Sequence, residues 1–279
     1  MEESVRWSRS RAFGSVADVY ERSRPGYPPE AVYWLLADLV EHGSYAPDAG
    51  YASGPDHQSA PADNPQPRPP LIVELAAGTG KLTRSLVEYS RRVVAIEPAA
   101  PMLTRLVRYV PVATPVQAVA EKIPLASNCA DAVVVAQAFH WFDIDVALEE
   151  IARILRPHGT LGVVWNQRDE SVPWVRELSA VLATVERTQV DQAAELLDKL
   201  EWSRHFTPPE YAGFRLWQRL DREGLLHLVS SRSYVASLPP GERQEILDQV
   251  GELYDMTARQ PDGLVMPYVT RCYRTRLRG

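Results

Sequence analysis

The chain has 279 residues, a formal net charge of −6, and an ordinary globular composition with 45% hydrophobic and 24% charged residues. This length allows a core that folds without disulfides or metals, and the negative charge argues against nucleic acid as a partner. The two cysteines, Cys129 and Cys272, have no metal-ligand spacing, so we expect no bound metal. The sequence shows neither a signal peptide nor an apolar run of the ~20 residues that span a membrane. We therefore expect a cytoplasmic protein.

An amphipathic helix is predicted near the N-terminus, after 27 mostly polar residues. Pro28 and Pro29 open it, since proline is favoured in the first helical turn. Its apolar face comprises Val32, Leu35, Leu36, Leu39 and Val40. We therefore expect residues 1–43 to form an N-terminal cap segment and a helix.

A proline-rich stretch occupies residues 44–70. It contains seven prolines among alanine, aspartate, glycine and serine residues. Such a segment buries little apolar area to offset its ordering entropy. We expect a disordered surface insertion.

Strands and helices alternate strictly through residues 71–168. Short apolar strands are predicted at 71–75, 93–97, 115–119, 132–136 and 160–165. Helices are predicted from the first turn through Arg91 and near 101–109 and 144–155. This alternation is typical of βαβ units in a parallel sheet that is covered on both faces. We expect residues 71–168 to form the core that binds a nucleotide or another cofactor.

The pattern is less regular in residues 169–279. Helices are predicted near 172–186, 192–201, 222–230 and 241–257, and strands near 214–220 and 264–276. We expect this part to complete the sheet and to form a lid and the acceptor pocket.

The turn after the first strand carries the chemistry. Small residues at Ala76, Gly78 and Gly80 let a ligand approach the backbone, and the following helix offers free N–H groups. Glu97 ends the second strand, where an acidic side chain can accept both ribose hydroxyls of a nucleoside. The turn at 76–80 and Glu97 together predict a nucleoside site.

Two familiar nucleotide motifs are not satisfied. The dinucleotide fingerprint needs a third glycine where Thr83 stands, and the phosphate-loop pattern fails at Leu75 and Leu82. The turn therefore favours a nucleoside without a pyrophosphate, which disfavours an NAD oxidoreductase.

Several segments, in the right order, resemble motifs of class I S-adenosylmethionine methyltransferases. They are residues 74–80, 94–98, 120–125, 131–143 and 154–161. An N-terminal pattern is similar to that of the trans-aconitate and ubiquinone-biosynthesis type of small-molecule methyltransferase: Tyr20, Arg24, Pro25, Tyr27 and Pro28. Ala76 departs from the family's motif, which has glycine there. The resemblance implies an α/β, Rossmann-like fold with a mostly parallel seven-stranded sheet, helices on both faces and a C-terminal helical lid.

The resemblance also implies S-adenosyl-L-methionine as cofactor and a set of residues that hold it. These residues are Tyr20, Arg24, Glu74, Ala76, Gly78, Thr79, Gly80, Glu97, Pro98, Met102, Ala120, Glu121 and Gln137. Glu74 would hold the methionine amino group, and Gly78 and Gly80 would lie beneath the methionine and ribose. Gln137 would lie near the methionine end. Pro98, Met102, Ala120 and Glu121 would surround the adenine.

His140 is the candidate catalytic residue. It follows the fourth strand, and histidine can accept a proton near neutral pH or orient an acceptor by hydrogen bonding. Candidate acceptor-binding residues are Tyr27, Trp141, Asn166 and Arg168. No metal or covalent nucleophile is expected, because the methyl group comes from the cofactor.

Two functions remain open at this point. The leading hypothesis is a methyltransferase acting on a small-molecule acceptor, directed at an oxygen, a carbon or a carboxyl group. The alternative is a protein of the same fold that binds the cofactor without methyl transfer, as a binding module or as a catalyst of another reaction, because fold does not determine function.

Overall fold

The computed structural model describes residues 23–41, 68–183, 189–259 and 262–278. Tyr20 and nearly all of the proline-rich stretch lie outside these ranges, so the predictions made for them stay predictions.

Seven strands form one sheet within these ranges. They are β1 (Ile72–Leu75), β2 (Val93–Ile96), β3 (Thr114–Val116), β4 (Ala130–Ala136), β5 (Leu155–Arg168), β6 (Glu210–Leu220) and β7 (Leu264–Arg276). The strand order is β3-β2-β1-β4-β5-β7-β6. The first five strands are parallel, and β7 runs antiparallel to both β5 and β6. The predicted mostly parallel seven-stranded sheet is confirmed.

Helices connect and cover the strands. They are α1 (Pro29–Leu35), α2 (Ala37–Glu41), α3 (Thr83–Leu86), α4 (Ala100–Tyr109), α5 (Ile144–Ile154), α6 (Pro173–Ala183), α7 (Gln189–Glu201), α8 (Arg222–Ser230), α9 (Ser233–Ala236) and α10 (Pro240–Thr257), with a 3₁₀ turn at Phe139–Trp141. The two faces of the sheet belong to different apolar clusters: Val133 and Val135 pack with α5, whereas Ala132 and Val134 pack with α1.

The strand order reverses between β1 and β4, which lie side by side. Leu75 of β1 is in register with Ile96 of β2 and with Val135 of β4. Open parallel sheets bind ligands in the crevice outside the carboxyl ends of the strands at such a reversal. The residues that follow these three strands therefore meet at one edge of the sheet.

The N-terminal helical region packs directly on β5. A side chain at Gly162 would meet the Leu35 side chain at 3.0 Å, so glycine allows α1 to approach the sheet closely. Leu36 is fully buried and has φ −107° and ψ 8°, and it separates α1 from α2. The single helix predicted here is therefore two short ones.

The C-terminal helices form a second apolar core at the carboxyl end of β6 and the amino end of β7. Its buried members include Val175 of α6, Leu225 of α8, Val250 of α10 and Met266 of β7. This core lies beside the carboxyl end of β5, where β5 is in register with β7 from Thr160 to Arg168.

Several other elements differ from the sequence prediction; β6, for example, begins at Glu210 rather than near Phe214. The helix after the first turn is four residues long and ends at Leu86 rather than near Arg91; the buried Ser90 hydroxyl instead donates to the Pro70 carbonyl at 2.6 Å. The β5 strand spans 14 residues, because Leu155 already pairs with Ala130 of β4 and β7 pairs with β5 from Thr160 to Arg168. The short helix α9 was not predicted.

Among the residues described, no helix combines the length and apolar character needed to cross a membrane.

Candidate active site

The turn after β1 reverses direction through three left-handed residues. Ala76, Gly78 and Gly80 have φ of 52°, 59° and 90°. The amide of Ala77 donates to the Ile96 carbonyl at 3.0 Å, which ties the turn to the end of β2. Because alanine rarely adopts positive φ, the sequence departure at Ala76 lies at a strained backbone position.

The two glycines of this turn face different surroundings. A Cβ at Gly78 would have no atom within 4 Å, so the turn is open at this point. A Cβ at Gly80 would lie 3.1 Å from side-chain carbons of both Leu106 and Val110. A side chain at Gly80 would point toward Leu106 of α4 and toward Val110, and the place predicted for both glycines beneath the cofactor stays a prediction. The absence of a side chain at Gly80 permits close packing between the turn and α4.

Glu97 lies directly beside the open part of the turn. Its Oε2 accepts from the Gly78 amide at 2.9 Å and its Oε1 from the Ala99 amide at 2.8 Å. The side chain is 6% exposed, and burial raises the pKa of Glu97. Each carboxylate oxygen has two lone pairs, so both retain capacity to accept from a further hydroxyl group.

Glu74 is buried below the turn. The hydroxyl of Thr83 donates to Glu74 Oε2, and the carboxyl group is 1% exposed. Burial, opposed by the Thr83 hydrogen bond and assisted by the nearby charge of Glu97, raises the pKa of Glu74 to about 8. Glu74 is therefore neutral near pH 7 and supports the start of α3; its contact with the methionine amino group, directly or through water, stays a prediction.

The residues expected around the adenine flank the ends of β2 and β3. Met102 is 4% exposed and Pro98 is half-buried. Glu121 Oε1 accepts from the Asp143 amide at 2.9 Å, which braces the loop before α5. Gln117 was not predicted, yet its Nε2 donates to the Pro98 carbonyl at 3.1 Å. Amide side chains one residue past a strand end give little signal in a sequence.

Other predicted cofactor residues lie at the same edge. Ala120 and Thr79 are buried, with Thr79 1% exposed. Gln137 follows β4 with φ 57°, and its amide donates to the Val164 carbonyl at 2.9 Å. A non-glycine residue in this conformation is held there by its surroundings.

His140 lies in the 3₁₀ turn after β4, with its ring centroid 4.7 Å from that of Trp141. Its Nε2 is buried and has no hydrogen-bond partner among the described residues. Burial lowers the pKa of His140 to about 4, and the positive charge of Arg24 contributes. The imidazole is therefore neutral above pH 5 and retains an unsatisfied polar atom just beyond the carboxyl end of β4.

The expected acceptor-binding residues contact other parts of the protein. Asn166 donates from Nδ2 to the Gly26 carbonyl at 2.8 Å and accepts from the Thr270 hydroxyl at 2.6 Å. Arg168 ends β5 opposite Tyr268 of β7. Tyr27 is half-buried and packs with the cluster around α1.

Within the described ranges, no group of three or more histidine, cysteine, aspartate or glutamate side chains could hold a metal ion.

Comparisons with known proteins agree with this geometry. A family described as a methyltransferase domain matches residues 73–163, which run from β1 into β5. An uncharacterized methyltransferase of Mycobacterium tuberculosis is 36% identical over 277 residues, which cover 96% of each chain. An uncharacterized methyltransferase of Schizosaccharomyces pombe is 30% identical over 242 residues, which cover 85% of this chain and 84% of that one.

The fold also matches a solved structure. A candidate type II methyltransferase from Anaeromyxobacter dehalogenans superposes with a TM-score of 0.59 at 20% identity, covering 91% of this chain and 97% of that chain. At this identity the likeness concerns the fold alone.

Proposed function

This chain belongs to the methyltransferase-domain family and is an S-adenosylmethionine-dependent methyltransferase; from that premise we propose that its acceptor is a small molecule whose reacting oxygen is already ionised, as in a carboxylate. The observation that carries the proposal is His140, a buried and neutral imidazole with an unsatisfied Nε2 and a neighbouring positive charge.

The residues of the turn after β1 fit the cofactor. Gly78 leaves open space above the backbone, and Glu97 keeps lone pairs for the two ribose hydroxyls while it holds the turn in shape. The further residues that would hold the cofactor are Ala76, Thr79, Pro98, Met102, Ala120, Glu121 and Gln137. When bound, the cofactor supplies an electrophilic methyl group.

The roles of Glu74 and Gly80 in this proposal are indirect. Glu74 accepts from Thr83 and so supports the start of α3. Gly80 allows the turn to pack against Leu106. Both would shape the cofactor site from below rather than contact the reacting groups.

His140 would orient the acceptor rather than deprotonate it. A base with a pKa of about 4 takes up a proton poorly from a hydroxyl or phenol, whose pKa is about 10 or higher. A carboxylate needs no base, because its pKa of about 4 leaves it ionised at neutral pH. The neutral imidazole can donate one hydrogen bond to such an acceptor, and Arg24 provides a favourable charge.

The protein's remaining contribution is positioning. Methyl transfer is an in-line displacement, so holding the acceptor oxygen against the methyl group and excluding water accelerate it. The resemblance of residues 20–28 to enzymes of the trans-aconitate and ubiquinone-biosynthesis type supports a small-molecule acceptor.

The test is release of S-adenosylhomocysteine from purified protein with a panel of small acceptors. The panel contains aliphatic mono-, di- and tricarboxylates, their methyl esters, and phenols and amines of similar size. We expect turnover with one or more carboxylates and none with the corresponding esters. Turnover with phenols or amines alone would contradict the proposed acceptor class while leaving the methyltransferase activity intact.

A further inference from the structure

Residues 23–27, which we call the strap, lie against the carboxyl ends of β5 and β6, between which β7 runs in the opposite direction. Three side chains from different elements hydrogen-bond to it. Asn166 of β5 donates to the Gly26 carbonyl at 2.8 Å, and Gln218 of β6 donates to the Ser23 carbonyl at 2.6 Å. Ser231, which follows α8, accepts from Arg24 Nε at 3.1 Å. The strap is thus joined to three elements that are 140 to 207 residues distant along the chain.

Gln218 is held at both ends of its amide group. Its Nε2 donates to the Ser23 carbonyl, and its Oε1 accepts from the Tyr268 hydroxyl at 3.1 Å. Ser23 and Tyr268 are buried, with exposures of 4% and 3%. Because the nitrogen and the oxygen of the amide group are both hydrogen-bonded, the orientation of Gln218 is determined. The path of the strap at Ser23 is determined with it.

Asn166 is fixed in the same way. Its Oδ1 accepts from the Thr270 hydroxyl at 2.6 Å, and Thr270 is fully buried. The amide nitrogen is therefore directed at the strap. Two amide side chains, each oriented by a hydroxyl group of β7, carry the strap at Ser23 and Gly26.

Arg24 lies in the middle of the strap, near the carboxyl ends of β5 and β6. The positive charge of the Arg24 guanidinium lowers the pKa of His140. This charge therefore helps to keep the imidazole neutral. The backbone of Arg24 lies between the two anchored carbonyls of Ser23 and Gly26. The guanidinium itself donates to the Ser231 hydroxyl at 3.1 Å and to the Ser231 carbonyl at 3.4 Å, so the position of Arg24 depends on Ser231 and on the two anchors of the strap.

We infer that Gln218 and Asn166 are positioning residues, which hold the strap so that Arg24 closes the acceptor side of the site against water and lies beside His140. The inference rests on the proposed function, because it assigns the acceptor to the His140 side. It also explains why Asn166, which sequence reasoning placed against the acceptor, is engaged with a backbone carbonyl.

The test uses the full chain and two readouts. The first is NMR titration of the His140 imidazole, assigned with His140→Asn among the six histidines. The second is hydrogen exchange of the Arg24, Gly26 and Tyr27 amides. For Gln218→Leu we expect exchange about three- to tenfold faster, since one anchoring hydrogen bond is lost. We also expect the pKa of His140 to rise by about one unit as water enters and Arg24 moves away.

Two further variants keep the test interpretable. Gln218→Asn retains the amide but is one methylene shorter, so it should shift both readouts in the same direction by less, even if the leucine variant folds poorly. Gln167→Leu replaces an exposed amide beside Asn166 on β5 and should change neither readout. Asn166→Leu should act as Gln218→Leu does.

The outcomes separate this inference from the proposed function. Faster exchange with an unchanged His140 titration would overturn the inference, because the strap would not govern that side of the site. Titration of S-adenosylhomocysteine into each variant by calorimetry should still show binding, because these variants remove none of the hydrogen bonds that join Glu97 to the turn after β1. Failure of the wild type to bind would contradict the proposed function and leave the titration test standing.

Discussion

The carboxylate of Glu97 accepts a hydrogen bond from the backbone amide of Gly78, 19 residues earlier and one strand away, at 2.9 Å. The same carboxylate accepts from Ala99. Glu97 therefore shapes the turn that is open toward the cofactor, and it is also the side chain proposed to hold the ribose. One residue combines these roles because β1 and β2 are adjacent and in register.

Replacing Glu97 should affect both cofactor affinity and stability. Glu97→Gln has one acceptor oxygen in place of two, so it cannot serve both amides and both ribose hydroxyls. We expect S-adenosylhomocysteine to bind about ten- to a hundredfold more weakly, from the loss of a charge-assisted hydrogen bond of ~1.5–3 kcal/mol. The melting temperature should fall by a few degrees. Glu170→Gln, an exposed site with the same change of charge, should leave both measurements unaltered; unchanged affinity for the Glu97 variant would remove it from the site.

Gly78→Ala and Gly80→Ala form a matched pair. Both place alanine at positive φ, which costs roughly 1–2 kcal/mol. At Gly78 the added methyl group meets no protein atom, so we expect mainly a loss of cofactor affinity. At Gly80 it crowds Leu106 and Val110, which adds ~1–3 kcal/mol of destabilisation. Chemical denaturation and calorimetry distinguish the two, and a Gly80 variant that is as stable as the Gly78 variant would contradict the assignment.

Glu74 should make stability depend on pH. The pKa of Glu74 is about 8 in the folded protein and about 4.5 in the unfolded chain. Between these values the folded state binds more protons, so the Glu74 contribution to stability falls as pH rises from about 4.5 to about 8. Glu74→Gln lacks this loss. Its melting temperature relative to the wild type should therefore increase with pH over this range, by the equivalent of a few kcal/mol. A constant difference across pH 5–8 would show that Glu74 is ionised.

His140→Asn tests orientation against base catalysis. Asparagine keeps a hydrogen-bond donor but cannot take up a proton near neutral pH. With a carboxylate that supports turnover, we expect kcat to fall by about three- to tenfold, as for one lost or misdirected hydrogen bond. The shape of the rate profile between pH 6 and 8 should be retained, because the pKa of His140 is about 4 and the group does not titrate there. Loss of an acidic limb in that range would establish a base role instead.

Asp38 connects the N-terminal helices to the last strand. It accepts from Arg276 Nε at 2.8 Å and from the Thr160 hydroxyl at 3.0 Å, and the Arg276 hydrogen bond lowers the pKa of Asp38. The stability that this provides is present above about pH 4 and is lost as pH falls through the lowered pKa. Asp38→Asn should lower the melting temperature at pH 7 by a few degrees, with the difference shrinking in acid. Asp198→Asn on the exposed face of α7 is the control, and an equal effect there would contradict the role of Asp38.

The sequence was most informative where local patterns determine structure. Short apolar runs such as 71–75 and 93–97 can form buried strands, and small residues at positions 76–80 permit only a tight turn between strand and helix. The strand predicted at 264–276 has the observed bounds, because its β-branched and aromatic residues are bounded by Gly263, which has φ 69°. These features depend on neighbours within a few residues.

The sequence alone thus determined the parallel αβ core, the turn at Gly78 and the acidic residue at the end of the second strand. Only the tertiary structure decided which partners those residues meet: that Gly80 faces Leu106, that Glu74 is neutral, and that Gln218 and Asn166 anchor the strap. The physical reason is that burial and hydrogen-bond geometry arise from contacts between residues as much as 240 positions apart. The local pattern of apolar and polar residues does not indicate which distant group will form a hydrogen bond with a given amide or carboxylate.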